Sequence, residues 1–103
     1  MKYVITWKPR FSGSALENEA GVARVLDVYS KWSVPKDAPM HQFLVRLDGE
    51  GGFAVMETDN PASVADAPYK FGPYFESAVY PVVDVGEGVG FVSQGIEFRK
   101  SVS

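Results

Sequence analysis

The chain has 103 residues, a length typical of one domain, so we expect a single domain spanning residues 1–103. Its content of 46% hydrophobic and 14% aromatic residues predicts a folded globule. The net charge is −3 and the ten lysines and arginines are scattered along the chain, which disfavours a nucleic-acid partner. The absence of cysteine excludes disulfides, thiolate nucleophiles and cysteine-ligated metal centres.

Targeting signals are not visible in the sequence. The first apolar run is too short for a signal peptide, and no window approaches the roughly eighteen apolar residues that a membrane span needs. We therefore expect a cytoplasmic protein with no membrane partner.

The N-terminal third predicts a strand followed by a helix. Tyr3 to Trp7 is rich in β-branched and aromatic residues, which is typical of a strand. Ser12 or Ser14 can cap the next helix, and Glu17, three residues after Ser14, indicates a capping box. Apolar residues then recur at helical spacing from Ala15 to Trp32.

The centre of the chain predicts a β-hairpin. Ser33 to Met40 holds two prolines and is expected to be a loop. His41 to Leu47 and Phe53 to Thr58 have strand composition, and the turn Asp48 to Gly52 joins them as an antiparallel pair.

A short second helix follows the hairpin. Asp59 or Asn60 can cap it, with Pro61 in its first turn. Because Pro68 removes a helical hydrogen bond and clashes with the preceding turn, we expect a break near Ala67 and Pro68. Another turn of helix should then run through Phe71.

The last third predicts a strand and a weak helix. Phe75 to Val83 forms the strand, and Pro81 inside it indicates either an edge strand or a bulge at that position. A helix from about Val89 to Arg99 follows a glycine-rich stretch in which each helical glycine costs about 1 kcal/mol. Such a helix persists only if a neighbour covers its apolar side chains. These are Val89, Val92, Ile96 and Phe98.

The order β-α-β-β-α-β followed by a helix predicts an α+β, ferredoxin-like antiparallel sheet with helices on one face. Both alternating sets of side chains in the strands are largely apolar, so the other face needs a cover as well. A second copy is the simplest cover. We therefore expect a homodimer that associates through its sheet faces and forms a dimeric α+β barrel.

Four segments together resemble a known family: Lys2-Tyr3-Val4-Ile5-Thr6-Trp7, His41-Gln42-Phe43, the run from Gly51 to Pro61, and Tyr80-Pro81-Val82-Val83-Asp84. The resemblance is to actinobacterial proteins grouped as domain of unknown function 3303. That family carries no established activity. The topology is also similar to the dimeric α+β barrel superfamily, which includes cofactor-free monooxygenases, muconolactone-isomerase-like enzymes and haem-degrading enzymes. This wider resemblance implies a fold and an analogy, not a site.

His41 is the only histidine and is a candidate general base or metal ligand. If Leu47 pairs with Phe53, then Phe43 faces Glu57, and His41 lies diagonally from Glu57 on the same sheet face. Such a pair could shuttle a proton. The alternative is a strand-start histidine with a surface partner, and a register shift of one residue would separate the two side chains.

Other candidate site residues have two interpretations each. Arg46 could stabilise a substrate anion, or it could be an edge-strand charge that discourages aggregation. Trp7, Phe43 and Tyr80 could shape a pocket for an apolar ligand, or they could be core and interface. The residue types and motifs predict no transition-metal site and no cofactor.

Three functions fit these observations. One is a cofactor-free enzyme of monooxygenase, isomerase or cyclase type that acts on an apolar, oxygen-bearing small molecule. In it, His41 is the base, Glu57 its carboxylate partner and Arg46 the anion stabiliser. The second is a non-catalytic module that binds a small apolar ligand, and the third is a structural dimer without a pocket.

Overall fold

A computed structural model of the chain describes residues 1–102. The element order is β1 (Lys2–Pro9), α1 (Ala15–Lys31), β2 (Met40–Val45), β3 (Gly52–Glu57), α2 (Pro61–Lys70), β4 (Phe75–Val82) and α3 (Val85–Val102). The strands form one antiparallel sheet in the order β2-β3-β1-β4. This confirms the predicted α+β, ferredoxin-like fold, and it confirms that β4, which contains Pro81, is an edge strand.

The two faces of the sheet differ in what covers them. Side chains alternate along a strand, so Ile5 and its neighbours Ala54 and Val79 share one face. Helix α2 packs on this side through Val64, and we call it the helix face. Val4 points to the other side, which we call the open face. Across the four strands this face holds Val4, Thr6, Leu44, Phe53, Val55, Ala78, Tyr80 and Val82, and around them the polar side chains Lys2, Lys8, Gln42, Glu57 and Glu76.

The buried core is small. Ile5, Ala54 and Met56 from the sheet meet Ala38 from the loop before β2 and Val64 from α2. Helix α1 contributes no buried residue, although its N-terminus is capped as predicted, with the Ser14 hydroxyl accepting from the Glu17 backbone N–H at 3.1 Å. Helix α1 therefore stands partly off the sheet, and this separation leaves room for a cavity between them.

The register of the central hairpin differs from the prediction. β2 ends at Val45, so Phe53 pairs with Leu44, and the expected pairing with Leu47 is wrong. The turn closes early because the Arg46 N–H donates to the Gly51 carbonyl at 2.8 Å. Gly51 has φ +112, a conformation that favours glycine. A Cβ on Gly51 would also collide with the carbonyl oxygen of Trp7 on β1, so the turn depends on a residue without a side chain.

The expected break at Pro68 is also wrong, because α2 runs without interruption from Pro61 to Lys70. Asn60 caps it, with its side-chain oxygen accepting from the Ala62 N–H at 3.2 Å. Pro68 lies in the last turn, where the lost N–H affects a single hydrogen bond. The Phe71 N–H still donates to the Ala67 carbonyl at 2.9 Å, and this bond closes the helix past the proline.

Helix α3 is longer than predicted. It begins at Val85 instead of near Val89, and Gly86 and Gly88 lie inside it. The Gly88 N–H donates to the Asp84 carbonyl at 3.1 Å, so the first turn forms although glycine has a low helix propensity. Its apolar side chains remain exposed. Neither α3 nor any other helix within residues 1–102 is long and apolar enough to cross a membrane.

Candidate functional site

A cavity of about 450 Å³ lies between the helix face and the two helices α1 and α2. Its walls are almost entirely apolar and are drawn from both layers of the fold. The volume falls within the roughly 300–1,000 Å³ of small-molecule sites. The sheet supplies Ile5, Trp7, Phe43 and Met56, α1 supplies Leu26 and Tyr29, and the C-cap residues of α1 and α2 supply Trp32 and Phe71.

The cavity exists because α1 does not close against the sheet. Val25, Leu26 and Tyr29 form the side of α1 that lines the cavity, yet none of them is buried. Ala54 on β3 and Ala67 on α2 are short side chains on the opposite walls. Small residues at these two positions leave space that larger side chains would fill.

Aromatic rings define the shape of the cavity. Trp7 packs edge-on against Phe43, with ring centroids 5.3 Å apart, and Tyr29 lies 6.3 Å from Phe43. At the α2 end, Trp32 meets Phe71 edge-on at 5.7 Å. Such contacts favour defined ring orientations, so ring faces and ring edges both contribute to the cavity walls.

Trp32 is held in place from outside the cavity. Its indole N–H donates to Asp66 at 2.8 Å, and the Lys70 ammonium contacts the other oxygen of the same carboxylate at 2.8 Å. Burial acts to raise the pKa of Asp66, but the bonds from Lys70 and Trp32 keep that pKa below its ordinary value. This network joins the end of α1 to α2 and orients one wall of the cavity.

A second cavity of about 460 Å³ adjoins the first under the N-terminal half of α1. The two share Trp7 and Leu26 among their lining residues, so they lie side by side under α1, and we call them together the gap. The second cavity adds the polar side chains Arg10, Glu17 and Asn18. The gap is thus more polar at the end away from α2 than at the α2 end.

Arg10 is a site residue that the sequence reasoning missed. Its Nε donates to the Gly72 carbonyl at 2.9 Å and its backbone N–H to the Tyr74 carbonyl at 2.8 Å. These bonds connect the end of β1 with the segment before β4. The signal available in the sequence was a lone arginine directly after the first strand, whose placement depends on a partner more than sixty residues away.

His41 and Glu57 do meet, as the sequence suggested, but by another route. His41 is the extra residue of a β-bulge, because Met40 pairs with Met56 and Gln42 pairs with Val55. The bulge lets the His41 Nε2 approach the Glu57 Oε1 to 2.8 Å. The hydrogen bond from His41 is the largest influence that holds the pKa of Glu57 below its ordinary value. Both side chains are about half exposed and lie on the open face.

The remaining candidates lie elsewhere. Arg46 follows the end of β2 and pairs with Asp48 in the turn. Tyr80 is on the open face of β4, opposite Val4. The predicted site residues therefore do not converge: Trp7 and Phe43 line the cavity, whereas His41, Arg46, Glu57 and Tyr80 line neither of the two cavities.

Within residues 1–102, no three histidine or acidic side chains lie close enough together to hold a metal ion. Fold and cavity together define a small α+β sheet protein with an apolar, ligand-sized space under its first helix. The chain belongs to the family described as domain of unknown function (DUF3303), whose model matches residues 1–96. No curated protein matches the sequence.

Proposed function

We propose that this protein binds a small apolar molecule that carries an oxygen-bearing group, and that it does so as a homodimer. The observation that supports binding is the aromatic-walled cavity of about 450 Å³ between sheet and helices. A space of this size with few polar groups is the usual form of a small-molecule site.

The polarity of the gap suggests how the ligand lies. Trp7 borders both cavities, so a ligand body packed on its ring can extend in either direction. The apolar body fits between Phe43 and Trp32. The oxygen-bearing end then points to Arg10 and Asn18, where a guanidinium and an amide can donate hydrogen bonds.

The homodimer part of the proposal rests on the open face. Leu44, Phe53 and Tyr80 are exposed there on three different strands, and Val4 and Val55 lie between them. An apolar sheet face of this kind needs a cover. Membership of the dimeric α+β barrel superfamily, an actinobacterial source and a cytoplasmic location belong to the same proposal.

A cavity-filling substitution tests ligand binding. Phenylalanine at Ala67 would occupy the space beside Trp32 and Phe71, so Ala67→Phe is expected to weaken binding of an anilinonaphthalene sulfonate probe at least about tenfold, or 1.4 kcal/mol. Both tryptophans of the chain, Trp7 and Trp32, line the cavity. Energy transfer from tryptophan to the probe therefore reports that the probe is bound, and its loss in Ala67→Phe assigns the binding to the cavity.

Ala62→Phe is the matched control, because Ala62 lies on the same helix but is exposed and outside the cavity. The control is expected to bind the probe as the wild type does. Thermal unfolding of both variants shows whether Ala67→Phe still folds. A folded Ala67→Phe protein with unchanged probe affinity would contradict the cavity as the binding site.

A second candidate function is catalysis, and the contact of 2.8 Å between His41 and Glu57 favours it. A histidine bonded to a carboxylate can take and return a proton. The pair lies on the opposite side of the sheet from the cavity, so one ligand cannot contact both within a chain. For this reason binding is proposed first.

The catalytic candidate has its own test. Ligands that bind are incubated with the protein and followed by mass spectrometry. If one is converted, His41→Ala is expected to lower the rate by at least about a hundredfold, the lower range for general acid–base catalysis. Gln42→Ala, a neighbour on the same strand, is the control. Conversion at an unchanged rate in His41→Ala would remove the pair from the mechanism.

A further inference from the structure

We propose that α3 is an arm that crosses to a second copy of the chain and lays its apolar half on the open face of that copy. The inference rests on the proposed homodimer but assigns the cover of the open face to the partner's α3 instead of the partner's sheet.

Helix α3 has an apolar half with nothing buried in it. At 100° per residue, Val85, Val89, Val92 and Ile96 fall within an arc of about 60°. A second row, formed by Phe91, Phe98 and Val102, widens this arc to half of the helix surface, and Arg99 lies between the two rows beside Gly95. These seven side chains are between 41% and 83% exposed. They leave roughly 700 Å² of surface accessible, close to what one partner contributes to a standard interface.

The helix needs such a contact to persist. Gly86, Gly88 and Gly90 lie in its first two turns, and each weakens the helix by about 1 kcal/mol relative to alanine. Most helical stability comes from packing of an apolar face. A helix with this composition and no buried residue depends on a surface outside the described contacts of its own chain.

The chain as a whole exposes too much surface for a monomer. Its accessible area is 7552 Å², whereas a folded monomer of 11.3 kDa exposes about 5,700 Å². Its radius of gyration is 18.2 Å, against about 13 Å for a compact domain of this length. The excess area of about 1,800 Å² per chain is enough for a stable dimer interface.

The start of α3 favours exchange over folding back. Only Val83 and Asp84 separate β4 from the helix. The Asp84 carboxylate also contacts the Lys2 ammonium of β1 at 3.1 Å. The molecule extends 62 Å along its longest axis, and a link of two residues gives α3 little freedom to return to its own open face.

The open face offers the complementary surface. Phe53 and Leu44 are neighbours on adjacent strands, both exposed, with Val4 and Val55 beside them. Reciprocal docking of two arms about a twofold axis covers both open faces and both apolar halves in one closed assembly. It also satisfies the expectation that α3 needs a neighbour.

Mass measurements by light scattering on the full chain test the arm. Val89→Glu with Val92→Glu places two charges in the apolar half, and Ser93→Glu with Gln94→Glu places two on the polar half of the same helix. Phe53→Glu charges the open face. We expect the wild type and the polar-half variant to be dimers, and the other two variants to be monomers with retained sheet signal in circular dichroism.

Other outcomes overturn the proposal in distinguishable ways. If only Phe53→Glu is monomeric, the dimer forms through sheet faces and the arm is wrong while the homodimer stands. If only the apolar-half variant is monomeric, α3 pairs with α3 and not with the sheet. A monomeric wild type overturns both the arm and the homodimer.

Cross-linking keeps the assignment of surfaces testable if a charged variant fails to fold. The chain has no cysteine, so Val92→Cys in one copy and Val55→Cys in another introduce one thiol each. On mixing and oxidation we expect the mixed disulfide to form as the main product. Docking of α3 on the open face would be contradicted if disulfides formed solely between two Val92→Cys chains. The absence of any disulfide would contradict it as well.

Discussion

Replacement of Gly51 by alanine is expected to lower the free energy of unfolding by about 3 kcal/mol. Gly51 has φ +112, where an L side chain is strained. The new Cβ would also collide with the carbonyl oxygen of Trp7. Trp7 belongs to β1, the central strand that pairs with both β3 and β4, so relief of the collision disturbs the whole sheet. Urea unfolding followed by tryptophan fluorescence measures the loss.

Gly49→Ala separates the collision from the backbone strain. Gly49 lies in the same turn with φ +75, but no atom lies within 4 Å of a Cβ built there. Its replacement is expected to lower the unfolding free energy by only about 1 kcal/mol, the effect of the left-handed conformation alone. Equal losses in the two variants would show that the contact with Trp7 contributes nothing.

Local signals in the sequence were enough to predict the order of elements. The Ser14 cap acts on a residue three positions away, and Pro81 removes a donor at its own position in the strand. Both effects are set by near neighbours along the chain. This is why the ferredoxin-like order and the edge position of β4 could be predicted without knowledge of the packing.

The hairpin register depends on contacts that are distant in sequence. The close approach of Gly51 to Trp7 joins residues forty-four positions apart and accompanies a turn that closes at Arg46. A compensating bulge at His41 then shifts the start of β2. The shifted register and the bulge thus compensate for each other. His41 reaches Glu57 although the predicted pairing of Leu47 with Phe53 was wrong.

The candidate site was likewise predictable only where local sequence signals were sufficient. Trp7 and Phe43 were predicted as ligand-shaping residues from type and strand position, and both line the cavity. The pairing of β1 with β4 determines which face Tyr80 occupies. The hydrogen bond from Arg10 to Gly72 places Arg10 at the border of the gap. Those pairings are tertiary, so no local pattern in the sequence carries them.

Met56→Ala is expected to lower the free energy of unfolding by about 2–4 kcal/mol. Met56 is only 1% exposed and packs in the core with Ile5 and Val64. Truncation removes buried apolar surface and leaves a space that rigid strands cannot close. Met56→Leu keeps most of the volume and should cost less than about 1.5 kcal/mol. A loss in Met56→Ala no larger than in Met56→Leu would show that the neighbouring side chains relax into the space.

The same variant connects stability with ligand binding, because Met56 also lines the cavity. A ligand that binds only the folded state at 100 times its Kd adds about 2.7 kcal/mol to the unfolding free energy, which would offset much of the loss. Truncation at position 56 enlarges the cavity, so the Kd of a ligand held there is expected to differ between Met56→Ala and the wild type. A ligand held on the open face or along α3 would keep the same Kd in both proteins. Measured together, the unfolding midpoint and the Kd thus determine which surface the ligand occupies.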